Sequence, residues 1–260
     1  MNLELDGKTA LVTGASKGIG RAVAEALARE GCNLHLAARG AEGLADTAAA
    51  IRRSANVAVE THAVDLSRAH DQQALFAACA DVDIVVNNAG SNPAGELDEI
   101  DEQTWRSSWD LKVFGFINLC RAYYGQMKTR GSGVIVNVVG NSGERMNPMY
   151  ILGSSGNASL MAFSRALGAR STDFGVRVLA VNPGLTATDR ASTMLRAWSQ
   201  QKYGTEDRWR EFEAQMNLPF GRMGTAAEVA DVVVFMASGR AGYVSGTVVT
   251  VDGGATNRNH

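Results

Sequence analysis

The run Thr13-Gly14-Ala15-Ser16-Lys17-Gly18-Ile19-Gly20 constrains this chain more than any other feature. It follows a short apolar run, Thr9-Ala10-Leu11-Val12, and opens a helical pattern. A strand, a glycine turn and a helix in that order make a seat for a dinucleotide pyrophosphate. The glycines let the backbone turn tightly and approach the phosphates, whose charge is met by the first N–H groups of the helix. The spacing is T-G-x-x-x-G-x-G rather than the commoner G-x-G-x-x-G, and a glycine turn alone is merely a loop in many proteins. A second apolar run, Ile84-Val85-Val86, leads into Asn87-Asn88-Ala89-Gly90 and supplies an independent signal.

Short β-branched runs alternate with longer helical patterns along the rest of the chain, which reads as repeated βα units around a parallel sheet. Strands are expected near Thr9–Thr13, Asn33–Ala38, Val57–Ala63, Ile84–Asn87, Val134–Val139, Val176–Val181 and Thr247–Val251. Helices are expected at about Gly18–Glu30, Ala41–Arg53, Asp71–Ala80, Thr104–Arg130, Gly153–Thr172 and Ala226–Ser238, the last opened by the capping box Thr225-Ala226-Ala227-Glu228. The expected fold is a Rossmann-like three-layer α/β sandwich, a doubly wound parallel sheet of seven strands, with residues 1–260 as a single domain. Asp189 to Met223 breaks the rhythm, mixing Met194, Trp198, Tyr203, Trp209, Phe212 and Met216 with many charges. An insertion after a strand's C-terminal end lies where such sheets bind ligands, so residues 189–223 read as a substrate lid. The alternative is an extra surface helix pair that packs its aromatics on the body.

The net charge of −2, without a basic block, leaves no footprint for nucleic acid or an anionic membrane, and no apolar stretch is long enough to span a bilayer. Cys32, Cys79 and Cys120 are odd in number and far apart, with neither a disulfide framework nor metal-ligand spacing, and no metal is expected. His35, His62, His70 and His260 are scattered and read as surface or satisfied histidines. The acidic start, Met1-Asn2-Leu3-Glu4-Leu5-Asp6, lacks an apolar signal region, and a cytoplasmic location is expected.

Together the glycine turn and Asn87-Asn88-Ala89-Gly90 resemble the short-chain dehydrogenase/reductase family, over essentially the whole chain. The resemblance implies a cofactor site made of Gly14, Ser16, Lys17, Gly18, Ile19 and Gly20 at the pyrophosphate and Asp65-Leu66 at the adenine. Asn87, Ala89 and Gly90 fall beside the adenosine ribose, and Pro183-Gly184 with Thr186 and Thr188 reaches the nicotinamide. An acid at the end of the second strand would bind both ribose hydroxyls and repel a 2′-phosphate. This chain has Ala37-Ala38-Arg39 there. Arg39 offers a planar fork suited to a phosphate and Lys17 a second cation, so NADP(H) is favoured over NAD(H).

Family members carry an Asn, a Ser and a Tyr-x-x-x-Lys, in which the tyrosine exchanges the proton and the lysine tunes it and holds the nicotinamide ribose. Tyr150 is followed four residues on by Ser154, so that motif fails. Asn157-Ala158-Ser159-Leu160 and Ile135-Val136-Asn137-Val138 set a better register, with Gly140 at the serine, Gly153 at the tyrosine, Asn157 at the lysine and Lys112 at the asparagine. All four differ. Lys112 and Asn157 read as a reciprocal exchange, the ammonium crossing to Asn157, to a carbonyl on its helix or to the ribose; the alternative is a solvated Lys112. Tyr150, Asn141, Ser142, Ser154 and Glu144 are the available substitutes for the lost proton donor, and Tyr150 is the best of them on chemistry. The catalytic candidates are therefore Lys112, Tyr150 and Asn157.

These features give an atypical NADP(H)-dependent oxidoreductase acting on a carbonyl or alcohol of a small substrate. An NADP(H)-binding sensor without turnover and a lyase- or isomerase-like enzyme are the alternatives. Members of this family commonly pair the helices that here hold Lys112 and Asn157, and Leu160, Phe163 and Leu167 form an apolar stripe, so a homotetramer or dimer is expected.

Overall fold

The apolar runs become strands because both of their faces are covered. The computed structural model describes residues 1–258, so His260 lies outside the described residues. The first half runs β1 (Thr9–Thr13), α1 (Gly18–Arg29), β2 (Asn33–Ala38), α2 (Ala41–Ser54), β3 (Val59–Ala63), α3 (Ala69–Ala78) and β4 (Ile84–Asn87). Then come α4 (Glu102–Trp109), a π-helical turn (Asp110–Phe114), α5 (Gly115–Arg130), β5 (Gly133–Val138), α6 (Ile151–Ser171), β6 (Val176–Pro183) and β7 (Thr186–Ala187). The chain closes with α7 (Asp189–Tyr203), α8 (Trp209–Gln215), β8 (Gly224–Thr225), α9 (Ala226–Ala237) and β9 (Val248–Val251).

Seven strands form one parallel sheet in the order β3-β2-β1-β4-β5-β6-β9. Side chains alternate across it: Ala10 and Val12 of β1 join Val23 and Leu27 of α1 and Val229 and Val233 of α9 in one core. Leu11 faces the opposite core with Leu75 of α3 and Leu119, Tyr123 and Met127 of α5. Near-continuous apolar strands are what a parallel sheet covered by helices on both faces requires. The chain starts in the middle at β1, winds outward to β3, and returns to pair β4 against β1. That reversal opens a crevice at the strands' C-terminal ends, between the loops after β1 and β4.

The expected helix Thr104–Arg130 is interrupted. The π turn widens it by a residue, so that Lys112 and Val113 are both buried. Gly115, at the junction, comes close to the loop after β3; a β-carbon there would lie 3.3 Å from the Leu66 carbonyl oxygen. Residues 189–223 fold as the helix pair α7–α8 followed by a short 3-10 turn. Their aromatics pack on each other, with ring centroids 6.0 Å apart for Trp198–Phe212 and 6.4 Å for Tyr203–Phe212. The two-residue ladder β7–β8 ties the ends of this insertion together. The Thr225–Glu228 capping box forms at α9 as expected. No helix among the described residues is long and apolar enough to cross a membrane.

Candidate active site

Gly14 and Gly18 both adopt left-handed backbone, with φ of +68° and +58°, a conformation that glycine enters at little cost. Gly20 is required for a different reason: a β-carbon there would strike the Gly14 carbonyl and lie 2.5 Å from Asn88 Nδ2. The loop after β4 is stitched to this turn. Asn88 N and Ala89 N donate to Thr13 Oγ1 at 2.9 and 3.1 Å, and Asn88 Nδ2 donates to the Thr13 carbonyl at 3.1 Å. The end of the β6 loop arrives from the other side, where Thr188 Cγ2 would be 3.4 Å from a β-carbon on Gly18. Helix α1 opens on Lys17 with no side-chain cap and no acid in its first turn. Its first N–H groups and the positive end of its dipole are thus open to an anion, as a pyrophosphate site demands.

Lys17 and Arg39 are exposed, and the side chain of neither forms a hydrogen bond or salt bridge among the described residues. Arg39 does lie in the electrostatic field of Asp65. Burial alone would raise the Asp65 carboxyl, but hydrogen bonds from Ser67 and the charges of Arg39 and Arg68 hold it below the ordinary carboxylate value. Ser16 and Ile19 line the same turn, half-buried, and Leu66 is buried beside Asp65. Asn87 does not project into the crevice. Its side chain is wholly buried, donating to Asn137 Oδ1 at 2.9 Å. Pro183 ends β6, Gly184 packs against Asp252, and the hydroxyls of Thr186 and Thr188 turn back onto the carbonyls of Gly184 and Thr186.

Lys112 points inward but not to the partner expected. Its stem crosses Gly90, with Cε 3.3 Å from where a β-carbon would stand, and its ammonium donates to the carbonyls of Val138 and Val139 at 2.9 and 3.2 Å. These carbonyls lie at the end of β5, not on α6, and Asn157 is not among its partners. Lys112 lies inside the π turn Asp110–Phe114, where it is buried. The ammonium also sits 4.4 Å from the Phe116 ring centroid. Burial, and secondarily the nearby Arg190 cation, pull its pKa down to about 7.

Asn157 donates from Nδ2 to Ser142 Oγ at 2.8 Å, and its Oδ1 is buried with no partner among the described residues. A buried acceptor left unsatisfied costs about 1–3 kcal/mol unless a ligand supplies a donor. Asn157 and Lys112 therefore flank the Val138–Gly140 segment without touching each other. Gly140 itself stands at φ +139°, and a β-carbon there would lie 2.8 Å from Asn157 Nδ2, so no serine fits without displacing the amide.

Tyr150 immediately precedes α6, and its ring packs against Gly153. A β-carbon at Gly153 would overlap Cε1 and Cζ and stand 2.6 Å from Cδ1. The phenol of Tyr150 thus occupies the space that a side chain at position 153 would enter. Arg190, in the first turn of α7, holds it there: Nη2 donates to Tyr150 Oη at 3.0 Å and to the Asn92 carbonyl at 3.1 Å, while Nη1 donates to the Gly90 carbonyl at 3.1 Å. The other substitutes are engaged elsewhere, Asn141 on Asp252 and Thr256, Ser154 on Asn147, and Glu144 on Thr250. Arg190 is the site residue that sequence reasoning passed over, and Ser142, named only as a candidate proton donor, turns out to hold Asn157 Nδ2. Arg190 had one usable signal, its position just after Thr188 at the start of the insertion.

Comparison with known proteins follows the same outline. A family model described as Enoyl-(Acyl carrier protein) reductase matches residues 14–256. The galactitol 2-dehydrogenase (L-tagatose-forming) of Cereibacter sphaeroides is 33% identical over 97% of this chain and 96% of its own. The 3-oxoacyl-acyl-carrier-protein reductase FabG of Escherichia coli is 33% identical over 97% of this chain and 98% of its own. The structure of L-sorbose reductase from Gluconobacter frateurii, complexed with NADPH and L-sorbose, superposes with a TM-score of 0.91 at 29% identity, covering 100% of both chains. With the glycine turn, the sheet order and full-length relatives in agreement, the chain belongs to the short-chain dehydrogenase/reductase family.

Proposed function

We propose that this protein is an NADP(H)-dependent oxidoreductase that interconverts a carbonyl and an alcohol on a small, partly apolar substrate, using a rebuilt proton-transfer site. The observation that carries the reading is the Tyr150 phenol, laid on Gly153 and anchored by Arg190, which also holds the Gly90 carbonyl of the loop after β4. The relatives named above are reductases and dehydrogenases of carbonyl and alcohol groups, and the sorbose reductase binds NADPH.

In this reading Gly14, Ser16, Gly18, Ile19 and Gly20 with the open end of α1 hold the pyrophosphate, and Lys17 and Arg39 take the 2′-phosphate. Asp65 and Leu66 border the adenine, and Ala89 and Gly90 the adjacent ribose. Pro183, Gly184, Thr186 and Thr188 frame the nicotinamide end. Asn157 Oδ1, the orphaned acceptor, takes a hydrogen bond from a hydroxyl of the nicotinamide ribose. The bound dinucleotide supplies or accepts the hydride. Tyr150 Oη gives its proton to the substrate oxygen, and the Arg190 guanidinium meets the charge left on the phenol. Lys112 holds the end of β5 in place, its ammonium donating to the Val138 and Val139 carbonyls.

Helices α7 and α8 serve as the substrate lid, since Arg190 links the first turn of α7 to both Gly90 and Tyr150. The protein assembles as a homodimer or homotetramer, and it works in the cytoplasm, where its three free cysteines stay reduced. Of the Leu160, Phe163 and Leu167 stripe, Leu160 is fully buried in its own chain, while Phe163 and Leu167 are only half-buried and stay partly open to a partner. Phe114, 49% exposed on the π turn, is the better contact.

Equilibrium binding tests the cofactor assignment: NADP(H) should bind more tightly than NAD(H), and Arg39→Asp should reverse the order. Equal affinities in the parent protein would refute it. Tight binding with no turnover over a carbonyl panel would favour a sensor, the role that fits Lys112 as a purely structural cation on the Val138 and Val139 carbonyls.

A further inference from the structure

Sheet register brings together side chains that are far apart in sequence. Parallel pairing sets His35 opposite Glu60 and Ala37 opposite His62. Residues two apart on a strand share a face, so His35 and His62 stand diagonally side by side on the α3 face of the sheet. His35 Nδ1 and His62 Nε2 are 3.0 Å apart. Helix α3 ends at Ala78, and the next residue, Cys79, is buried on that same face. One ligand atom from each of His35, His62 and Cys79 lies within 4.8 Å of the other two, the only such trio found among the described residues.

We propose that His35, His62 and Cys79 form a binding site for a borderline-soft divalent cation of the zinc class. The donor types suit that chemistry: two imidazoles and a buried thiol, which donates to the Leu75 carbonyl at 2.9 Å and would be deprotonated on binding the cation. Around a tetrahedral zinc, with bonds of about 2.0–2.3 Å, such donors stand about 3.3–3.6 Å from one another. The two imidazole nitrogens, 3.0 Å apart, need a small parting, and the three ligand atoms, all within 4.8 Å of one another, must close to that spacing around the ion; His35 and His62 are only partly buried. A second layer is in place for the sulfur: Tyr123 Oη lies 3.2 Å from Cys79 Sγ and is free to donate to a thiolate. The exposed Glu60 carboxylate, with Oε2 3.6 Å from His35 Nδ1, borders the open side where a fourth ligand would come in. The protein's other cysteines have no such company. Cys32 faces the Leu5 carbonyl, and Cys120 lies among Asn87 and Asn137. A cation here would tie the edge strand β3 to β2 and to the end of α3. This assignment is independent of the oxidoreductase reading.

Titrating the metal-free full-length protein with Co2+ and with Zn2+ tests it, using a chromophoric chelator as competitor. The expected result is one equivalent bound, a thiolate-to-cobalt charge-transfer band in the near ultraviolet, and a rise in Tm with Zn2+. Cys79→Ser should abolish the band, whereas Cys32→Ser, Cys120→Ser and His260→Ala keep it. His62→Gln, at a partly exposed position where folding is not at stake, should weaken binding by at least about tenfold, and Tyr123→Phe should weaken it while leaving the band. Absence of stoichiometric binding, a band that survives Cys79→Ser, or binding that disappears in His260→Ala would each overturn the proposal.

Discussion

Gly153→Ala separates the stability of this fold from its chemistry. The added methyl overlaps the Tyr150 ring, so the ring must leave its place on α6. Replacing a helical glycine by alanine gains about 1 kcal/mol in helix propensity. Against this stand part of the burial of an aromatic ring, about 1 kcal/mol for a half-exposed side chain, and the Arg190–phenol hydrogen bond, about 1 kcal/mol. The folded state therefore loses only about 1 kcal/mol. Turnover should fall far more, by about 10²–10⁴-fold, because a displaced phenol no longer delivers its proton. Urea unfolding, NADP(H) binding and kcat would be measured on the parent and on Gly153→Ala. Cofactor affinity should hold while kcat collapses. In a Tyr150→Ala background the clash is gone, and Gly153→Ala should become stabilising by about the propensity gain alone, a coupling read by a double-mutant cycle. If Gly153→Ala keeps most of the parental turnover, Tyr150 does not act from its place on Gly153.

Two further outcomes follow from other parts of the site. The folded-state pKa of Lys112, about 7, lies below the ordinary lysine value of 10.5; between those values the unfolded chain binds a proton that the folded chain lacks, so stability rises with pH across that window. Urea stability of the parent relative to Lys112→Met should accordingly climb from pH 7 to pH 10 and stay flat below pH 7, and a difference that does not vary with pH would refute the burial of the charge. Sedimentation at micromolar concentration should give a dimer or tetramer, with Phe114→Arg shifting it toward monomer; a monomeric parent would contradict the interface.

The sheet was legible because its physics is local. β1, β2 and β4 fall on the expected residues, since a short, mainly apolar run between turns has few alternatives to a buried parallel strand. The break in Thr104–Arg130 was not legible: a π turn inserts a residue without changing composition, and Lys112, inside it, reaches the Val138 and Val139 carbonyls rather than Asn157. Tyr150 stood out on chemistry, but its place was hidden, because a motif count registers Gly153 as a loss where the fold uses it as room for the neighbouring ring. Nor does sequence order bring His35, His62 and Cys79 together. They meet only through the register of β2 with β3 and the length of α3.

The central claim is that a dinucleotide site and a relocated proton donor work together. Its most direct test is deuteride transfer from NADPH deuterated at C4, over a panel of small ketones and ketoses, with product label read by mass spectrometry in the parent and in Tyr150→Phe. Labelled alcohol is expected from at least one substrate with the parent, and at least about a 100-fold lower rate with Tyr150→Phe at unchanged NADPH affinity. Labelled product formed equally fast by Tyr150→Phe would remove Tyr150 from the mechanism, and no label from a parent saturated with NADPH would contradict the assignment as an oxidoreductase.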